Sequence, residues 1–310
     1  MPLSIQRKDL SGLTVIVTGA NIGIGLETAR MLSEMGAQVT IACRNANKAE
    51  TAAEDIEKTT GKKPHVASLD LSNFDSTVAF VDEFKANHDR LDILVNNAGV
   101  VSSSKGEDGM SKNGFEIDFQ VNHLSQFLLT NRLLPLITNA AQNKINNFTP
   151  RVVTVGSNAA TIGKIDYSYV QNSANLPFLF TRYANSKLMN AMFIKKLSEI
   201  VKDNGVVAHV VHPGFVASDI HAKEDHKVPR FVIKIADFVM KATARSPVQG
   251  AMTSVHVAIS DEAAETTGKY WDSCKVVAYP NKLITDDNAV DQLWADSLKY
   301  LQEKGIEIDH

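Results

Sequence analysis

The sequence has only two cysteines, Cys43 and Cys274, in 310 residues. Cys43 ends an apolar run that reads as a buried strand, so a disulfide scaffold is not expected and a reducing compartment fits. Charge of one sign is also lacking. The net charge is -3, which gives no general case for nucleic acid or an anionic membrane. No uninterrupted apolar run approaches the length of a membrane span. Met1 to Gly12 holds no apolar core of signal-peptide length, so a cytoplasmic location is the expectation. There is no internal repeat, low-complexity tract or dividing linker, and residues 1–310 read as a single domain. Hydrophobic residues at 44% and charged residues at 22% suit a soluble globular chain.

What is present is organised around residues 13–36. Leu13-Thr14-Val15-Ile16-Val17 is a short β-branched apolar run. It enters Thr18-Gly19-Ala20-Asn21-Ile22-Gly23-Ile24-Gly25, and a helical pattern follows to Gly36. Gly19 permits a sharp turn, Gly23 lets backbone approach a phosphate, and Gly25 lets the helix pack closely. A helix N-terminus there offers free N–H groups and a positive dipole end to a pyrophosphate. The spacing G-x-x-x-G-x-G is neither G-x-G-x-x-G nor a P-loop. A tight turn with no ligand remains the plain alternative.

Strand patterns fall at 13–17, 38–43, 65–69, 91–95, 151–155 and 206–211, with a weaker one near 269–271. Helical patterns fall at 23–35, 46–59, 75–88, 114–138 and 184–203. This alternation predicts an α/β fold, a doubly wound parallel sheet with helices on both faces. Its ligand crevice should lie at the carboxyl ends of the strands. Arg44 follows the second strand, where an arginine would pair with a 2′-phosphate and an acid would repel it. A surface arginine is the alternative. Asp70 follows the third strand and Asn96-Asn97-Ala98-Gly99 the fourth. Small and turn-forming residues there let backbone pass close to a flat ligand, or simply cap a loop.

Gly156-Ser157-Asn158 follows the fifth strand. Val155 and Ala159 flank it where G-x-S-x-G needs glycines, so a hydrolase elbow is excluded. His209 and His212, three apart on a strand, face opposite sides and make no metal pair. Tyr183 and Lys187 are four apart and share a helix face. A free phenol, with a pKa of about 10, is a poor base. A neighbouring ammonium and a cationic nicotinamide would lower that value and make it a usable proton donor and acceptor. Ser157 could hold the substrate oxygen. Asn122 interrupts an apolar helical run, either as a satisfied helix-face amide or as the holder of a water beside Lys187.

Taken together, Thr18-Gly19-x-x-x-Gly23-x-Gly25, Asp70, Asn96-Asn97-Ala98-Gly99, Asn122, Ser157, Tyr183-x-x-x-Lys187 and Pro213-Gly214 resemble the short-chain dehydrogenase/reductase family. The match spans residues 13–216 in the expected order. The resemblance implies a Rossmann fold and a catalytic tetrad of Asn122, Ser157, Tyr183 and Lys187. It implies a nucleotide lined by Gly19, Asn21, Gly23, Ile24, Gly25, Arg44, Asp70, Asn97, Ala98 and Gly99. Lys187 would meet the nicotinamide ribose beside Tyr183, and Pro213, Gly214, Val216 and Ser218 would border the nicotinamide. Ile41-Ala42-Cys43-Arg44, the long spacing from Ser157 to Tyr183 and Gly268-Lys269-Tyr270-Trp271 resemble the retinol dehydrogenase-like branch, in which the arginine goes with NADP. Two departures stand out. The N-terminal membrane anchor carried by many members of that branch has no counterpart here. Ser218 stands where the family often has a threonine.

The expectation is an NADP(H)-dependent carbonyl reductase or alcohol dehydrogenase with no metal. Its substrate would be a small lipophilic carbonyl or alcohol, whether retinoid-like, steroid-like or aliphatic. Its rivals are a reductase of activated carbon–carbon double bonds and a non-catalytic NADP(H)-binding regulator. The apolar faces at 115–137 and 184–200 leave room for a homodimer. Residues 219–242 read as a substrate lid. Phe231, Val232, Ile235, Phe238 and Val239 share one helix face, and a polar stretch at 219–229 serves as the hinge.

Overall fold

The computed structural model describes residues 5–216 and 245–308. The expected lid at 219–242 and Ser218 lie outside the described residues. The strands are β1 (Thr14–Thr18), β2 (Gln38–Cys43), β3 (His65–Ser68), β4 (Ile93–Asn96), β5 (Arg151–Val155), β6 (Val207–His212), β7 (Lys269–Asp272) and β8 (Lys275–Val277). They form one sheet in the order β3-β2-β1-β4-β5-β6-β7-β8. β1 to β7 pair in parallel, and β8 runs antiparallel on the β7 edge. The chain order reverses between β1 and β4, which opens a crevice there at the strands' carboxyl ends.

The helices are α1 (Gly23–Glu34), α2 (Ala46–Thr60), α3 (Phe74–Asn87), α4 (Ser125–Gln142), α5 (Leu179–Ile200), α6 (Pro247–Ile259) and α7 (Asp287–Gln302). Alternate residues of each strand feed two separate cores. Val15, Val17, Ile93, Val95, Val153 and Val211 join the face covered by α1, α2 and α6. Ile16, Leu94, Val152 and Val210 join the face covered by α3, α4, α5 and α7. The period of two along a strand thus reaches both layers, so the buried strands read as continuous apolar runs.

Four features differ from the sequence expectation. The run expected as one helix over 114–138 is instead a helical turn at Ile117–Phe119, a π-helical turn at Gln120–Leu124 and then α4. Such wide turns place a side chain out of α-helical register, often at functional sites. α5 begins at Leu179, earlier than expected, so Tyr183 stands inside the helix. β8 follows a tight turn through Ser273 and Cys274, both with left-handed φ of 54° and 60°. Non-glycine residues hide that turn from a glycine or Asn-Gly reading. α6 and α7 were not expected, although Ser246 and Gln249 form a capping box at the start of α6, with Pro247 in its first turn.

α7 packs on the apolar faces that were considered for a homodimer. Trp294 packs on Phe127 and Phe193 at centroid distances of 4.8 and 5.9 Å, and Tyr300 packs on Phe115 at 5.5 Å. Part of the apolar faces at 115–137 and 184–200 is thus covered within this chain. Cys43 and Cys274 are both free, as expected. Among the described residues no helix is long and apolar enough to cross a membrane.

Candidate active site

The glycine turn leaves β1 at Thr18. Thr18 Oγ1 accepts from the Asn97 and Ala98 amides, each at 3.0 Å, and Asn97 Nδ2 donates to Thr18 O at 2.8 Å. The ends of β1 and β4 are thereby locked together across the switch point. Gly19 has φ +64°, and a Cβ there would lie 2.9 Å from Ala98 Cα. A Cβ on Gly25 would meet Asn97 Nδ2 at 2.3 Å and Gly19 O at 2.6 Å. These two glycines are demanded by close packing. Gly23, with φ +62°, faces open space. Ile22, at the N-cap of α1, gives no side-chain cap, so the first amides of the helix are left for another acceptor. Asn21 and Ile24 are half-buried beside them. An open glycine, an uncapped helix start and a turn braced from below fit a dinucleotide pyrophosphate.

Arg44 is exposed directly after β2 and forms no ion pair among the described residues. Cys43, one residue before it, is buried, and burial pushes its thiol up to about 11. Asp70 is half-buried beyond β3, with Oδ1 accepting from the Ser72 amide and hydroxyl at 3.0 and 2.6 Å. Gly99 lies between two other expected residues. A Cβ there would sit 3.3 Å from both Asn122 Oδ1 and Lys187 Nζ.

Asn122, Ser157, Tyr183 and Lys187 meet at the ends of β4 and β5. Ser157 stands close enough to Tyr183 to act on its phenol. Lys187 is fully buried, donates to Val155 O at 2.8 Å and stands 5.7 Å from the centre of the Tyr183 ring. Burial depresses its ammonium to about 8. Burial also pushes the Tyr183 phenol up, Ser157 pulls it down, and the charge of Asp118 adds to the rise. In the chain alone, then, the expected lowering of the phenol does not appear, because desolvation outweighs it. Asn122 sits in the π-helical turn. Its Oδ1 accepts from the Val100 amide at 2.8 Å, and Nδ2 donates to Val100 O and Ser186 Oγ at 2.9 and 3.0 Å. It fastens the loop after β4 to the helix of Tyr183.

Among the described residues no group of His, Cys, Asp and Glu could hold a metal. A groove of about 960 Å³ opens at the opposite ends of β2 and β3, lined by Gln38, Lys62, His65, Phe84 and His88 among others. It shares no residue with the constellation above.

Residues 13–229 match the family model described as short chain dehydrogenase. The chain belongs to the short-chain dehydrogenase family. Within it the chain falls in the retinol dehydrogenase-like branch. It is 36% identical to mouse (Mus musculus) retinol dehydrogenase 12 over 293 residues, 94% of this chain and 87% of that one. It is 35% identical to human (Homo sapiens) retinol dehydrogenase 11, over 97% of this chain and 88% of that one. Among solved structures, an uncharacterized protein from Mycobacterium paratuberculosis aligns with a TM-score of 0.74 at 26% identity, covering 97% of each chain. Pseudomonas aeruginosa RhlG in complex with NADP aligns at 0.66 and 25% identity, over 85% of this chain and 95% of that one.

Three parts of this short-chain dehydrogenase's site escaped the sequence reading. Pro213 O accepts from Arg245 Nη1 at 3.0 Å, and Arg245 Nη2 donates to Ser273 Oγ at 2.7 Å. Gly214, with φ +83°, makes room for that guanidinium, which lies 2.4 Å from where a Cβ would be. Val216 bridges to Arg245 along the backbone. Thr18 and Ser186 act as the ties described above. Finally, Glu116 and Asp118 are buried acids one turn before Asn122. Two carboxyls in an apolar run were a legible signal, since buried acids need partners. Arg245 carried no such signal, because only the fold brings it to Gly214.

Proposed function

We propose that this enzyme is an NADP(H)-dependent carbonyl reductase or alcohol dehydrogenase for a small lipophilic compound. The observation that carries the reading is the buried Lys187 ammonium 5.7 Å from the centre of the Tyr183 ring, at the strand end that also holds Ser157. NADPH, when bound, supplies a hydride to the carbonyl carbon. Tyr183 donates its hydroxyl proton to the carbonyl oxygen. Ser157 Oγ accepts from the Ala159 amide at 3.2 Å, which leaves its own proton free to point at that oxygen. Lys187 stabilises the phenolate left behind, and the ammonium is worth more in a buried site than it would be in water. Asn122 keeps an oxygen lone pair facing the gap at Gly99, where a water could refill the proton path. Asp70 and the segment 97–99 would line the nucleotide, and Pro213-Gly214 the nicotinamide.

Arg44 supports NADP over NAD, because an exposed guanidinium without an ion pair among the described residues is a ready partner for a 2′-phosphate. The RhlG–NADP relative is consistent with that choice. Lipophilic substrates are supported by Ile162, Phe178, Phe180 and Phe215, which are 70, 67, 48 and 54% exposed. Each stands within a few residues of Ser157, Tyr183 or Pro213 in the sequence, Phe178 and Phe180 pack at 5.6 Å, and exposed large apolar groups mark a binding surface. Relatives named retinol dehydrogenases point the same way. NADPH oxidation against a panel of aldehydes, ketones and enones tests the reading. Turnover of long-chain aldehydes or ketones is expected. Turnover of enones with loss of the C=C bond, or no turnover with tight NADPH binding, would replace it.

A further inference from the structure

Pro213, Gly214, Phe215 and Val216 run from the wall of Ser157 to the start of α1. At one end, the Gly156 amide donates to Val211 O at 2.8 Å, which sets the end of β6 beside Ser157. At the other, α6 comes so close that a Cβ on Gly250 would lie 2.7 Å from Val216 Cγ2 and 3.1 Å from Ile24 Cγ1. The segment therefore links the proton-donor wall to the pyrophosphate turn. Local structure does little to hold it. Pro213 has no amide hydrogen to donate, and Gly214 is the residue type with the widest choice of backbone angles.

Tertiary bonds from one residue hold it instead. The Arg245 amide donates to Phe215 O at 2.7 Å, and Val216 and Arg245 form a parallel bridge. Arg245 Nη1 donates to Pro213 O at 3.0 Å, and the guanidinium fills the space where a Cβ of Gly214 would stand. The guanidinium is itself fixed from the other side. Nη2 donates to Ser273 Oγ at 2.7 Å, Ser273 Oγ donates to Asp272 Oδ1 at 2.8 Å, and Asp272 Oδ1 lies 3.8 Å from Nη1. Asp272 is the register partner of His212, the residue before Pro213. Ser273 and Cys274 pay for this arrangement with left-handed φ of 54° and 60°. Backbone of that kind is unfavourable without glycine and persists where its surroundings demand it. A glycine would relax the turn, but it has no hydroxyl to meet Arg245.

We propose that Arg245, aimed by Ser273 and Asp272, is a positioning residue that fixes the Pro213–Gly214 peptide and so sets how the nicotinamide ring faces Tyr183. This rests on the reading of Pro213-Gly214 as the nicotinamide border. The planar guanidinium bridges Pro213 O and Ser273 Oγ with two separate nitrogens, which a lysine ammonium does not reproduce. Its influence ends with the ring. Arg44 and Asp70, at the ends of β2 and β3, stand on the far side of β1 and β4 in the sheet order.

The test compares NADPH with 2′,5′-ADP, which keeps the adenine and the 2′-phosphate and lacks the nicotinamide. Arg245→Met should weaken NADPH by about 5–10-fold, the worth of the lost hydrogen bonds, and 2′,5′-ADP by less than about twofold. The emission of bound NADPH should move back towards that of the free cofactor. Arg245→Lys should fall between Arg245→Met and the wild type. Ser273→Gly should weaken NADPH in the same direction while its urea midpoint holds or rises, because the left-handed turn is relieved. Where Arg245→Met does not fold, Arg245→Lys and Ser273→Gly carry the comparison.

Equal losses for the two ligands, unchanged NADPH affinity and emission, or a Ser273→Gly chain that loses stability and keeps its NADPH affinity each overturn the proposal. So does a wild type that binds NADPH no tighter than 2′,5′-ADP, since no nicotinamide contact is then left to position. A wild type that binds NADPH tightly but reduces no carbonyl compound sinks the carbonyl reading instead, and the two ligands still report on Arg245.

Discussion

On the wall of the crevice built from β1, β2 and α1, the groups offered outward are backbone amides and one arginine. Gly23 faces open space, Ile22 leaves the start of α1 uncapped, and Arg44 is exposed. On the wall built from residues 116–122, β5 and α5, the groups are buried side chains already bonded to one another. Asn122 is spent on Val100 and Ser186, Glu116 on Arg182, and Lys187 on Val155 O. The first wall needs room and a positive potential, which glycine and a helix end supply without side-chain order. On the proposed function the second needs a proton donor with a shifted pKa. That calls for burial and fixed neighbours, hence a network whose parts depend on each other. Substitutions on the two walls should therefore act on different quantities.

The largest contrast is expected at Tyr183. Tyr183→Phe should lower kcat by about 10²–10⁴-fold, the worth of a positioned proton donor, with NADPH affinity nearly unchanged. Stopped-flow turnover and fluorescence titration of NADPH read the two separately. Comparable losses in both would dissolve the distinction between the walls.

Next comes stability. Glu116→Ala strands the buried Arg182 charge and should cost about 3–5 kcal/mol of folding free energy. Arg44→Ala, at an exposed position without an ion pair among the described residues, should change it by less than about 0.5 kcal/mol. Urea unfolding of the two variants makes the comparison, and similar midpoints would show that the acidic turn is not a buried network. The smallest effect is at the cofactor wall. Arg44→Asp should raise the NADPH KM relative to that for NADH by an amount equivalent to about 1.5–3 kcal/mol, with kcat and melting temperature little changed. An equal rise for both cofactors would place the 2′-phosphate contact elsewhere.

Much of the cofactor wall was legible because its signals are local. The run Thr18 to Gly25 announces a strand, a turn and a helix in consecutive residues, and each glycine's role follows from backbone sterics. The Tyr183–Lys187 pair was legible for the same reason, since four residues on a helix share a face. The catalytic wall was only partly legible. The π-helical turn at Gln120–Leu124 is set by packing against Ser186 and Val100, partners distant along the chain. α7 went unseen, so the apolar faces it covers looked available to another copy.

By itself, the sequence determined the α/β class, the order of most strands and helices, the glycine turn and the membership of Tyr183, Lys187, Ser157 and Asn122 in one motif set. The class, the element order and the glycine turn follow from periodicity and short-range spacing, and the motif set from the resemblance to the short-chain dehydrogenase/reductase family. Only the tertiary structure decided that Arg245 buttresses Gly214, that Arg182 neutralises Glu116, and that Asp118 Oδ2 is buried without a hydrogen-bond partner among the described residues. Electrostatic partners of this kind lie far apart in sequence. Whether a buried charge is matched depends on distances and desolvation that exist only once the chain has closed around it.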